Sequence, residues 1–218
     1  MEGVFSQLAI VFSSAVLLCG LILLWRRSVG AYVTSFRWQS MALAALTVVV
    51  GYFGGDRNLY WVAAFLLAIK AIAIPRLLRE MDGRFGTLRE TEPYVNTATS
   101  LLASALLVIF AYILARPLVA ASSLPTRSGM PLALGLVFVS LFVIVSRKKA
   151  LTQVIGFLML ENAIGLLAVL GTYGVPLLVE FGVFLDLLMG FLVMQIFVYQ
   201  IHETFESIDV EQLTRLRH

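Results

Sequence analysis

Apolar residues gather along this chain into blocks of about 20, separated by short polar turns, and that is the length an α-helix needs to cross a hydrocarbon core. Backbone polar groups in lipid must be bonded within their own segment, so each block predicts a helix rather than a strand. Seven blocks stand out: Val4–Leu24, Ser35–Phe53, Tyr60–Leu78, Asn96–Ala115, Pro131–Ser146, Ala150–Gly171 and Leu177–His202. The second and fifth carry the weakest signal. Ser35–Phe53 opens with Arg37 and Gln39, which can snorkel to the interface, and Pro131–Ser146 is short unless it extends into its flanks. A count of six would drop one of these.

The basic residues decide between the two counts. Seven spans put Arg26, Arg27, Arg37, Arg76, Arg79, Arg84, Arg89, Arg147, Lys148, Lys149, Arg215 and Arg217 on one side. The other side receives only Arg57, Arg116 and Arg127, and Lys70 stays inside a span. Cytoplasmic loops carry the excess of Lys and Arg, so the N-terminus is expected outside and the C-terminus in the cytoplasm. Removing one span destroys this sorting.

Composition agrees with an all-α integral membrane protein. Of 218 residues, 60% are hydrophobic and 13% charged, well beyond the roughly 45–50% apolar content of soluble domains. One membrane domain over 1–218 is the simplest organisation. The formal charge of +3 carries no nucleic-acid footprint. Cys19, the one cysteine, lies inside the first block, where it reads as a small buried hydrophobe and leaves no disulfide or cysteine-based metal site to expect. The first block has its positive charges after it, not before, so it reads as a retained span and not as a signal peptide.

Between the blocks, Pro75 to Pro93 reads as a polar cytoplasmic connector with turn signals at Asp82-Gly83, and Arg116 to Met130 as its outer counterpart. Residues 203–218 form a tail with one weak amphipathic face. A faint repetition pairs a first three-helix unit, 4–78, with a second, 131–202, joined by the helix 96–115. Each unit runs through a basic turn into a helix with a polar patch, then into a helix with a central charge.

Those central charges are the candidate chemistry. Glu161 lies about 18 Å along its helix from Lys149, while Lys70 and Asp186 each lie about 15 Å from the start of theirs, so the three fall in one layer near mid-bilayer. A charge at that depth costs about 2.5–3.5 kcal/mol on insertion scales, which predicts that each faces protein or internal water. Lys70 paired with Asp186 or Glu161 as structural glue is one reading. A proton relay is another, because desolvated carboxylates and lysines shift toward neutral pH, and ion or substrate coordination is a third. Gly182 and Gly190 flank Asp186 at i−4 and i+4 and offer a close-packing stripe. Asn162 and Gln195 are expected to hydrogen-bond between helices. Glu180 and His202 sit near the membrane edges, where solvation explains them without a role in transport, and with Asn162 they rank as secondary candidates.

The chain contains no phosphate-cradling glycine loop, no HExxH and no paired cysteines, and its two histidines, His202 and His218, stand at or past the membrane edge. A self-contained redox enzyme with its own cofactor or metal is therefore not expected.

The stretch "SRKKALTQVIGFLMLENAIGLLAV", followed by "EFGVFLDLLMGFLVMQIFVYQIHETFESIDVEQLTRLR", resembles the E component of hydrogenase-4-type membrane-bound hydrogenases. Through the last three spans and the tail, Leu132 to Arg217, the chain also resembles the 4L (chain K) subunit of complex I and the C subunit of multisubunit cation/proton antiporters. "LLWRRSVGAYV" and "LAIKAIAIPRLLREM" extend the E-component resemblance to the whole chain. The resemblance implies a three-helix 4L-like unit at the C-terminal end, and a non-catalytic subunit of a redox-driven, proton-translocating assembly in a bacterial or archaeal cytoplasmic membrane. Its implied partners are antiporter-like subunits and a nickel–iron hydrogenase module. Asp186 matches the second intramembrane carboxylate of the 4L subunits. Glu161 answers to the first, displaced one turn from the matching position, Leu158.

The expected function is thus part of a proton path through Glu161, Asp186 and Lys70. The rivals are a scaffold whose buried charges fix helix packing and subunit docking, and an independent small-molecule transporter.

Overall fold

In the computed structural model, described residues are 2–26, 28–84, 94–147, 150–172 and Gly190, with side chains described for 3–26, 28–80, 94–147, 152–172 and 190. All regular structure among them is helical. Helix α1 is Glu2–Trp25 and α2 is Val29–Gly54; α3 (Asn58–Leu66) runs through a π-helical stretch, Leu67–Ala73, into α4 (Ile74–Arg84). Then come α5 (Thr97–Ala121), a 3₁₀ turn (Pro125–Gly129), α6 (Met130–Ser146) and α7 (Ala150–Thr172). Six stretches among the described residues are long and apolar enough to span a membrane. The chain is a multi-pass membrane protein. The expected seventh span, Leu177–His202, and the tail 203–218 lie outside the described residues.

Three expected boundaries need correction. The second span starts at Val29, not Ser35, because Tyr32, Val33 and Phe36 are buried and carry the apolar face back almost to the Arg26 turn. The fourth continues past Arg116-Pro117 to Ala121, with Pro117 inside the helix. Together with the 3₁₀ turn Pro125–Gly129, this makes most of the outer connector helical. The inner connector is likewise helical as far as Arg84. Caps mark the true ends: Gly55 closes α2 at φ 73°, the left-handed conformation glycine adopts without a Cβ clash, and Asn96 Oδ1 accepts the Thr99 N–H at 2.8 Å to open α5.

Helices α1, α2, α6 and α7 form the centre, with α3 and α4 packed on the α2 side and α5 on the α6 side. Phe5 stacks on Phe53, with ring centroids 4.8 Å apart, bringing the start of α1 beside the end of α2. Tyr94 N donates to Ser146 O, joining the start of α5 to the end of α6. Neighbouring helices therefore alternate in direction. Gly20 permits the tightest approach at the centre: a Cβ there would lie 2.6 Å from Leu136 Cδ1 and 3.1 Å from Met159 Cε. Cys19 proves half-buried and not part of the core.

Candidate functional site

Glu161 is the central residue of the 23-residue α7, and its side chain turns inward. Lys70 lies in the π stretch, where Ile74 N–H donates to Ile69 O, five residues back. Pro75 gives a physical reason for the wider turn. Its ring would press on the carbonyl four residues earlier in a regular α-helix, and a π turn just upstream relieves that contact. Lys70 Nζ and Glu161 Oε1 meet at 3.4 Å, with the two side chains 4% and 6% exposed. The structure thus joins two of the three residues expected in one layer. Asp186 lies outside the described residues, as do Glu180, His202 and Gln195.

A second polar cluster abuts the pair. Asn162 Nδ2 donates to Gln39 Oε1 and to Ser40 Oγ, at 3.1 Å each, and Gln39 Nε2 donates to Val16 O at 3.2 Å. Side chains of α7 and α2 and the backbone of α1 are thereby linked near the middle of all three helices. The expectation that Gln39 snorkels to the interface is overturned. With α2 beginning at Val29, Gln39 stands about 15 Å into the helix and is buried. Arg37, two residues earlier, is exposed on the opposite face.

Arg147 is a further departure. It counts with the flanking charges in the sequence, yet it is buried, donating to Tyr32 Oη at 3.2 Å and to Leu24 O at 3.4 Å, with its guanidinium 5.4 Å from the Tyr32 ring centre. Leu24 O belongs to the last turn of α1, where carbonyls lack intrahelical partners and a cation is favourable. Gln153 Nε2 in turn holds the Arg147 carbonyl at 2.9 Å. Arg147 therefore fastens the α6–α7 turn to the α1–α2 turn.

Among the described residues no group of three or more His, Cys, Asp or Glu side chains is placed to hold a metal ion. The cluster offers one carboxylate, one ammonium, two amides and hydroxyls, so its chemistry is proton exchange and hydrogen bonding.

An uncharacterized protein of Mycobacterium tuberculosis, Rv0085, is 36% identical to this chain over 214 residues, 98% of this chain and 97% of the relative. The chain belongs to the family of that protein. Hydrogenase-4 component E of Escherichia coli is 25% identical over 194 residues, 88% of each sequence, and its Shigella flexneri counterpart matches to the same extent. The similarity to component E is a distant homology that extends over most of both chains. No family profile matches the sequence, and no solved structure does.

Gln39, Ser40 and Arg147 are the members of these clusters that sequence reasoning did not pick as site residues. A signal existed for the first two, a Gln-Ser pair inside an otherwise apolar block, but its depth was hidden by placing the helix start at Ser35. Nothing in a basic turn marks which of its residues folds inward.

Proposed function

We propose that this chain is a membrane subunit of a hydrogenase-type, complex I-like assembly and that Lys70 and Glu161 form part of its proton path. The distant homology to hydrogenase-4 component E supports the assembly type. One observation carries the proton path: an ammonium and a carboxylate 3.4 Å apart, both nearly inaccessible, at the centre of their helices. Desolvation opposes charge on both groups, while their mutual attraction favours it. A proton moving from Lys70 Nζ to Glu161 leaves a neutral amine and a neutral acid, and the pair's net charge stays zero. In this reading, a displacement of either helix or a charge change in a neighbouring subunit drives that transfer.

In this reading Asp186 continues the path in the same layer, with Glu180 and His202 as secondary positions toward the membrane edges. The N-terminus is outside and the C-terminus cytoplasmic. The neighbours are antiporter-like subunits and a nickel–iron hydrogenase module in a bacterial or archaeal cytoplasmic membrane, and this subunit conducts and couples without binding a cofactor. The test is Glu161→Gln in the assembled complex. We expect subunit association, read by co-purification through a C-terminal tag, to persist while redox-coupled proton movement in vesicles falls at least tenfold. Unchanged proton movement would remove the proposal.

The Asn162–Gln39–Ser40 linkage favours a second reading, a scaffold in which buried polar groups fix helix register. That reading predicts loss of assembly, or no effect, from the same substitution.

A further inference from the structure

Leu59 and Lys70 stand on one continuous helical rod, α3 through the π stretch to α4, but they meet different helices. Leu59 faces α2, where a Cβ added at Gly51 would lie 3.1 Å from Leu59 Cβ. Lys70 meets Glu161 on α7. Lys70 follows Leu59 by 11 residues. Each residue of a regular α-helix turns about 100° around the axis, so 11 residues end within about 20° of the starting direction. A regular helix would therefore aim Lys70 at α2, in line with Leu59.

Farther along the rod the mismatch grows. Leu78 follows Leu59 by 19 residues and is buried, and its helix, α4, packs on α2 as α3 does. Nineteen regular residues would leave Leu78 about 100° around the axis from Leu59, whereas 18 make about five whole turns and return to the same direction. Ala73, 14 residues after Leu59, would point within about 40° of it in a regular helix, yet Ala73 is exposed. Between its two anchors on α2 the rod thus holds one residue more than a regular helix needs. The π stretch Leu67–Ala73 takes up that residue, with Ile74 N–H reaching back to Ile69 O, five residues away instead of four.

Lys70 is the middle residue of that stretch, so about half of the extra rotation has accumulated where it stands. We infer that the π stretch is a positioning element: its extra residue turns Lys70 by about 50° off α2 and onto Glu161, then returns α4 to α2. One rod thereby packs on α2 along its length and still delivers its buried cation to α7. The importance of this aim for proton movement rests on the reading above, but the aim itself does not.

Deletion of the exposed Ala73 tests this, because it leaves the number of residues that a regular helix needs between Leu59 and Leu78. The full chain, purified in mixed detergent micelles, is unfolded with and without the deletion in two backgrounds. One is the natural chain, and the other carries Lys70→Met with Glu161→Met, where no charge remains to be aimed; Lys70→Gln with Glu161→Gln serves as a second uncharged background. We expect the deletion to lower the folded-to-unfolded ratio at least tenfold in the natural chain, where it parts two buried charges, and less than threefold in the uncharged ones. Removing Ile72 and Ala73 together turns Leu78 away from α2 and should cost at least tenfold in every background. A single deletion that is equally costly with and without the charges, or harmless in both, overturns the inference, as does a double deletion tolerated in the uncharged chains. The Glu161→Gln result in vesicles is separate: proton movement unaffected by that change would end the proton-path reading and leave the aim of Lys70 standing.

Discussion

The α2–α7 contact and the α5–α6 contact hold the same bundle together by opposite means. At the first, Gln39, Ser40 and Asn162 link through side-chain hydrogen bonds, with the Lys70–Glu161 pair beside them. At the second, α5 turns its small residues inward, with Ser100, Ser104, Ala111 and Ala115 buried, while Leu102, Leu106, Ile109 and Ile113 are exposed. Gly135 of α6 completes that contact, its Cβ position 3.4 Å from Val108. A soluble helix would be expected to do the reverse. Lipid tails are as apolar as leucine, so large hydrophobic residues gain little by turning inward, and association depends on close backbone approach and polar bonds. The first contact specifies partners by chemistry, whereas the second does so by shape.

The largest expected effect breaks the polar side of this comparison. Lys70→Met or Glu161→Met alone leaves an uncompensated buried charge and should destabilise the bundle by about 3–5 kcal/mol. The double substitution should recover most of that loss. Unfolding of the purified chain in mixed detergent micelles checks both, and additive losses would mean that the two charges do not interact. The shape side breaks next: Ser104→Leu on the inner face of α5, or Gly20→Val at the centre, should cost about 1–3 kcal/mol through overpacking. Gly30→Val, where a Cβ meets nothing within 4 Å, serves as the matched control.

A smaller effect sharpens the contrast. Asn162→Leu and Gln39→Leu should each cost about 1 kcal/mol, and the pair together less than the sum, because each removes the same hydrogen bond. Full additivity in a double-mutant cycle would contradict the linkage. Smallest of all, Leu106→Ile on the outer face of α5 should change stability by less than about 0.5 kcal/mol in the same assay.

Several of these features were legible beforehand. Blocks of apolar residues predicted membrane helices wherever the described structure has one, and insertion cost alone predicted that Lys70 and Glu161 turn away from lipid. The helix ends were harder to read, because Val29–Thr34 and Arg116–Ala121 mix polar residues and a proline with buried apolar ones. Gln39 was misplaced for the same reason: an error of six residues at the helix start moves a side chain by about 9 Å in depth. Arg147 could not be told apart from Lys148 and Lys149, since only the meeting of two turns from distant parts of the chain gives it Tyr32 and Leu24 O as partners.

By itself the sequence determined that the chain is helical, that it lives in a membrane, and that its few central charges need polar company, because hydrocarbon tolerates neither unbonded backbone nor solitary charge. Tertiary structure alone decided which charges meet. The contact of Lys70 with Glu161 follows from how α2 packs against both the π stretch and α7. Hydropathy along a membrane helix has almost no preferred face, so the inward side is chosen by small residues, hydrogen bonds and the close approach at Gly20, all of which exist only once the helices have come together.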